Sequence, residues 1–275
     1  KLVKTFGVRG ATVDAVAGIS FRIAPGEFVS IMGESGAGKS TLLGMIGAMN
    51  TPNTGRLTVD GIDVYALPPE QQADFRREYL GFVFQGFHLV PYLTVIENVM
   101  LPLAVSGRSK KQKQGMASEA LSQVGLAGKA RRLPGEISGG EKERVAVARA
   151  IVNEPPVLLA DEPTGNLDSK NSADIMAMFR RLNASGMTIL MVTHSHDCAV
   201  HARRRMVLSD GRLISDRTVT VETDPAARTP SPLPVLSMPC LAAPAFHPVT
   251  RSRFLRLGAY RQHRARCVAH HAVRG

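Results

Sequence analysis

The stretch FVSIMGESGAGKSTLLGMI, residues 28–46, decides the fold. Its first five residues, Phe28–Met32, are short and apolar, as a buried strand should be. Its last part opens the run KSTLLGMIGAMN, which reads as a helix. Between them, GESGAGKST at 33–41 meets the spacing G-x-x-x-x-G-K-[ST] through Gly33, Gly38, Lys39 and Ser40. Strand, glycine-rich turn and helix together make a phosphate cradle. The small residues Ser35, Gly36 and Ala37 let backbone N–H groups converge on phosphate oxygens, and the helix start at Lys39–Thr41 adds positive potential. Lys39 is expected to reach the β and γ phosphates, and Ser40 to ligate Mg²⁺. Glu34 puts an acid inside this loop, so its side chain has to point away from the nucleotide. The bland alternative, a chance glycine-rich turn, does not account for the flanking strand and helix.

Working outward, ATVDAVAGISFRIAPGEFVSIM reads as strands broken at Pro25–Gly26, and GRLTVDGIDV as a hairpin turned at Asp60–Gly61. YLGFVFQ is a second buried strand, and residues 94–135 are rich in helix formers. VLLADE at 157–162 and MTILMVTH at 187–194 are further apolar strands, separated by a helix from about Ser169 to Leu182. RMVLSDGRLI closes as another hairpin. Strands alternating with helices predict an α/β fold with a mostly parallel sheet, and the early hairpins an added antiparallel piece.

In a parallel sheet the strand ends gather along one edge, where ligands bind. VLLADE ends in Asp161 and Glu162. Adjacent residues point different ways, so Asp161 is expected to hold Mg²⁺ while Glu162 polarises the attacking water. Gln85 follows LGFVF and is expected to reach Mg²⁺ or that water. His194 follows TILMVT and is expected to donate to the γ-phosphate. Each of these polar residues alone is more simply a solvated strand end.

ISGGEKERVAVARA, residues 137–150, starts a helix on almost bare backbone. Ser138 and Glu141 fit the capping box S-x-x-E. Gly139 and Gly140 are costly in a helix, so something is expected to approach them closely.

Taken together, these motifs resemble those of the ATP-binding subunits of ABC transporters, over about residues 2–215. ISGGE looks like the LSGGQ signature, NLD at 166–168 like the D-loop, Gln85 like the Q-loop glutamine and His194 like the switch histidine. GEFVSIMG, LGFVFQGFHLVPYLTVIENVMLPL and DEPTGNLDS look most like the lipoprotein-release and macrolide-export (LolD/MacB-type) group. The resemblance implies a P-loop NTPase core with an antiparallel β subdomain and a helical subdomain at about 94–153, within a domain covering 1–221. It implies ATP hydrolysis with Mg²⁺. It also implies a head-to-tail homodimer in which Ser138, Gly139, Gly140 and Glu141 of one copy cover ATP held by the other. Asp168 would then lie at the dimer seam, and Phe6 in VKTF would stack on adenine. Gly86 stands where the family carries a second glutamine. The segment Gly86–Leu93, with Phe87 and Leu89, would meet a separate membrane permease, and the chain would work at the cytoplasmic face of the membrane.

Composition agrees. Hydrophobic residues are 44% and charged residues 21%, ordinary for a soluble domain. No apolar run has the roughly 20 residues a membrane span needs. The opening residues carry no secretory signal, although Lys1 in place of Met leaves the true N-terminus open. Cys198, Cys240 and Cys267 fit no metal-ligand spacing and suit a reducing cytoplasm. Much of the net charge of +11 sits in residues 222–275, where eight arginines face only Glu222 and Asp224. That proline- and arginine-rich stretch is expected to be a loosely ordered extension. A basic extension suits anionic lipid or nucleic acid, the latter as in a non-transport ABC ATPase acting on nucleic acid or ribosomes. That rival usually has paired ATPase domains or coiled-coil insertions, and this chain has one motif set and no heptads, so nucleic acid is not the expected partner. A small-molecule kinase would leave ISGGE and His194 unexplained.

Overall fold

The computed structural model describes residues 1–8 and 11–219, which lie within one compact unit, Lys1–Glu222. The expectations for residues 222–275 lie outside the described residues. Strands β1 (Leu2–Val8) and β2 (Ala11–Ile19) pair antiparallel as a two-stranded ribbon. Strand β3 (Phe28–Met32) then enters the main sheet and helix α1 (Lys39–Ile46) leaves it. A small hairpin follows, β4 (Thr58–Val59) and β5 (Ile62–Asp63), and then α2 (Pro69–Tyr79) and β6 (Leu80–Val83). Helices α3 (Val95–Met100), α4 (Lys110–Gln123) and α5 (Gly139–Ile151) form a helical lobe. Strand β7 (Val157–Asp161), helix α6 (Ser169–Ala184), strand β8 (Thr188–Val192), helix α7 (His196–Ala199) and the hairpin β9 (Arg204–Ser209) and β10 (Arg212–Thr218) complete the unit.

The main sheet has six strands in the order β10-β9-β3-β8-β7-β6. All neighbours run parallel except β10, which returns antiparallel on β9. Every residue of β3 and β8 is buried, which explains why they are apolar except for Ser30 and Thr188: helices cover both faces of a parallel sheet. The two short hairpins obey their turn chemistry. Asp60 and Gly61 have φ of 48° and 79°, and Asp210 and Gly211 have 47° and 69°, the left-handed pairs of a type I′ turn.

Core packing is continuous from the sheet into the lobe. Phe28 meets Phe179 of α6 edge-on at 6.5 Å, and Leu158, Val145, Val99 and Leu121 carry the same cluster into α3, α4 and α5. Three helices start with reciprocal capping boxes: Thr94/Glu97, Ser109/Gln112 and Ser138/Glu141. Helix α1 is shorter than its sequence predicts. It stops at Ile46 because Ala48 turns left-handed at φ 52°, and the N–H groups of Ala48 and Met49 close back on the Met45 and Gly44 carbonyls at 3.0 Å and 2.8 Å. The ring of Phe82 lies where a side chain at residue 47 would stand, which leaves room only for glycine.

Candidate nucleotide-binding site

A cleft of about 630 Å³ opens along the edge where the parallel strands end, within the usual range for a small-molecule site. On one side it is lined by Ser35, Gly36 and the run Gly38–Thr41, and on the other by Gln85, Glu162 and His194. Ala15 of β2 closes a third side. The sheet thus brings together four segments that are far apart in sequence.

Gly38 precedes helix α1 and offers no side-chain cap, and the first residues of the helix line the cleft with their N–H groups uncapped by any side chain there. The Lys39 ammonium is folded over the loop and donates to the carbonyls of Gly33 at 2.7 Å and Glu34 at 2.8 Å. Glu34 itself is exposed and is not among the lining residues. The glycines at the two ends of the loop answer to the protein's own backbone. At Gly38 the φ is +91°, and an added Cβ would stand 2.0 Å from the Ala15 carbonyl oxygen. At Gly33 it would stand 2.3 Å from that of Leu208. Thus β2 and β9 press on the loop from outside, while Gly36 has open space around it.

At the strand ends, the Ser40 hydroxyl donates to Asp161 Oδ1 at 3.1 Å. Burial pushes the Asp161 carboxyl above its usual range, and the bond from Ser40 opposes this. Glu162 has a left-handed φ of 49°, a strained backbone for a glutamate. Its side chain is largely buried and faces His194: Oε1 is 3.0 Å from Nδ1, and Oε2 accepts the His194 backbone N–H at 3.3 Å. The Gln85 carbonyl accepts from Asn166 Nδ2 at 2.7 Å, and Gly165 leaves room for the Gln85 amide beside it.

The start of α5 lies apart from the cleft lining. Ser138 Oγ accepts the Glu141 N–H at 3.3 Å, and Glu141 Oε2 accepts the Ser138 N–H at 3.0 Å. Ser138 and Gly139 are exposed, and nothing lies within 4 Å of where a Gly139 Cβ would be. Gly140 departs from the expectation of a bared residue: it is buried. A Cβ there would stand 2.1 Å from Asn171 Oδ1, so helix α6 of the same chain requires this glycine. Asn171 is in turn held by Asp168, whose carboxylate accepts its backbone N–H at 2.8 Å and its amide at 2.7 Å. These bonds keep the Asp168 carboxyl below its usual range. Asp168 therefore caps α6, outside the cleft lining. Phe6 on β1 also lies outside it. The residue is 42% exposed, and the Lys4 ammonium lies 5.2 Å from its ring centre.

Several contributors escaped the sequence reading. Lys129 pairs with Glu141 at 2.6 Å. Arg149 of α5 donates to the carbonyls of His88 at 2.5 Å and Phe87 at 2.9 Å, holding the loop after β6. Buried Asn98 holds the next part of that loop through Val90 and Leu93. Only Asn98 carried a sequence signal, a polar residue inside an apolar run.

A cradle at a strand-to-helix turn, an acid pair after a second strand, a histidine after a third and a glycine-started helix define a nucleotide-triphosphatase of the ABC type. The sequence pattern of the family described as ABC transporter matches residues 16–165, and this chain belongs to that family. Its relatives point to one branch. It is 46% identical over 211 residues to the ABC transporter ATP-binding protein YknY of Bacillus subtilis, covering 77% of this chain and 92% of that one. It is 45% identical over 214 residues to the macrolide export ATP-binding/permease protein MacB of Chlorobium luteolum, covering 78% of this chain. It spans only 32% of that longer relative. The dimeric structure of MJ0796, a bacterial ABC transporter cassette, superposes with a TM-score of 0.74 at 39% identity, covering 80% of this chain and 97% of that one. The same cassette in a post-hydrolysis dimer bound to ADP and Pi gives 0.74 at 38% identity.

Proposed function

We propose that this chain is the ATP-hydrolysing subunit of a transporter in which two copies pair head to tail around ATP. Its stroke drives export or extraction of a lipoprotein, peptide or drug through a separate membrane permease. The observation that carries this reading is the separation of Ser138 and Gly139 from the cleft lined by Gly38–Thr41, Glu162 and His194. Exposed N–H groups at a helix start suit a γ-phosphate arriving from another molecule. The dimeric relative MJ0796 supports the pairing. In this arrangement Lys39 holds the β and γ phosphates, Glu162 orients the attacking water, and His194 donates to the γ-phosphate.

Ser40 Oγ and Asp161 Oδ1, in contact at 3.1 Å, form a hard oxygen pair that fits Mg²⁺, with Gln85 as a further donor. When bound, Mg²⁺ neutralises phosphate charge. Phe6 is assigned to adenine, Asp168 to the dimer seam and Gly86–Leu93 to the permease. Among the described residues no helix is long and apolar enough to cross a membrane, which suits a subunit peripheral to the membrane's cytoplasmic face.

Glu162→Gln should retain ATP binding and lose hydrolysis by about 10²–10⁴-fold. Near-normal turnover would refute the role of Glu162. Mixing Glu162→Gln with Gly139→Asp tests the shared site: in trans pairing, one mixed dimer contains a doubly damaged pocket and an intact one, and activity returns above that of either variant alone. No gain on mixing, with both variants shown to dimerise, would refute it.

A further inference from the structure

The signature turn carries a glutamate at Glu141, a negative charge at the place assigned to meet a triphosphate. Both carboxylate oxygens are committed. Oε2 accepts the Ser138 N–H at 3.0 Å, and Oε1 meets Lys129 Nζ at 2.6 Å. Lys129 comes from the short 3-10 turn Ala127–Lys129 between α4 and α5. The bond from Lys129 first, and that from Ser138 next, hold the Glu141 carboxyl below its usual range, so it is ionised at neutral pH. The Glu141 side chain is 22% exposed and the Lys129 side chain 45%, so the pair sits at the surface while remaining short.

The cap needs only one oxygen acceptor at residue 141. A neutral amide supplies one, so the cap does not explain the second contact. The lysine supplies charge: with it, the negative charge of Glu141 beside the N–H groups at the start of α5 is offset. Without it, Glu141 would oppose the anion that those N–H groups attract.

We propose that Lys129 is a positioning residue of the nucleotide site, acting by neutralising Glu141 so that this signature turn accepts the γ-phosphate of ATP bound to a second copy. The inference rests on the shared-site reading above. Lys129 acts through Glu141 and touches no reacting atom.

A double-mutant cycle on the full chain tests it, with the KM for ATP and nucleotide-driven dimerisation as readouts. Lys129→Ala should raise KM about five-fold at low salt, and Lys129→Arg should restore most of the loss. The same Lys129→Ala change made in Glu141→Gln should have less than about a two-fold effect, because the charge to be neutralised is gone. The deficit of Lys129→Ala should shrink in about 1 M salt, where the screening length falls to about 3 Å. A loss of equal size in both backgrounds would show that Lys129 is merely structural and overturn the proposal. An unimpaired Lys129→Ala, alongside a Gly139→Asp that abolishes turnover, would overturn it while leaving the shared site standing. If Gly139→Asp were also harmless, both would fall.

Discussion

Glu143 lies on α5 only two residues beyond the signature turn, and it is 1% exposed. Its Oε1 has no hydrogen-bond partner among the described residues. Burial pushes its carboxyl up to about 8, against the opposing pull of Arg149 on the same helix. In the unfolded chain the same group loses its proton near 4.5. Between these two values the folded state holds a proton that the unfolded state has released. Stability therefore falls as pH rises through this window, by about 1.4 kcal/mol per unit where the difference is complete. From about pH 5 to about pH 8 the loss sums to about 3–4 kcal/mol, since both ends of the window are only partly titrated. Glu143→Gln removes this dependence. Denaturant unfolding of both proteins at several pH values across the window isolates the effect, because every other titrating group is shared. The stability of the wild type relative to the variant should decline steadily and level off above about pH 8. Parallel profiles would mean that Glu143 is already ionised in the fold, with Arg149 overriding burial, and the reasoning would be wrong.

Other outcomes follow from close contacts. Gly38→Ala places a Cβ against the Ala15 carbonyl in a left-handed position, and should abolish binding of a fluorescent ATP analogue and cost about 2 kcal/mol or more of stability. Normal binding would refute the packing argument. Gly140→Ala should displace Asn171 and weaken the Asp168 cap, costing about 1–2 kcal/mol, with most of it recovered by adding Asn171→Ala. The absence of recovery in thermal melts would place the damage elsewhere. Arg149→Ala releases the carbonyls of Phe87 and His88, and should speed amide hydrogen exchange across residues 86–93 several-fold while exchange at α1 stays unchanged. Unchanged exchange in the loop would show that Arg149 does not hold it.

How far the sequence could be read depended on how local the cause was. The phosphate loop, the turns at Asp60–Gly61 and Asp210–Gly211, and the Ser138–Glu141 cap each follow from a few adjacent residues, and the structure has each of them. Buried strands were visible because a parallel sheet is apolar on both faces. What stayed hidden came from contacts across the chain. Gly33, Gly38 and Gly140 look like glycines spared for a ligand, yet Leu208, Ala15 and Asn171 occupy the space beside them. That is a property of packing, and no spacing rule encodes it. The early end of α1 was missed because a left-handed alanine is unusual and the Phe82 ring that crowds Gly47 comes from a strand beyond it. Lys129 and Arg149 read as ordinary surface cations, because their partners are chosen by the folding of the helical lobe.

The loop after β6 is tied down on two sides. Asn166, from the turn after β7, grips the Gln85 carbonyl, and Arg149, from α5, grips those of Phe87 and His88. Tyr92, 80% exposed a few residues on, offers an outside handle on the same segment. A partner that pushed on that handle would strain both ties, one four residues beyond Glu162 and the other on the helix that starts at Gly139. On the shared-site proposal the loop is a yoke: shifting it would pull on the half-site this copy keeps, the half-site it would lend, or both.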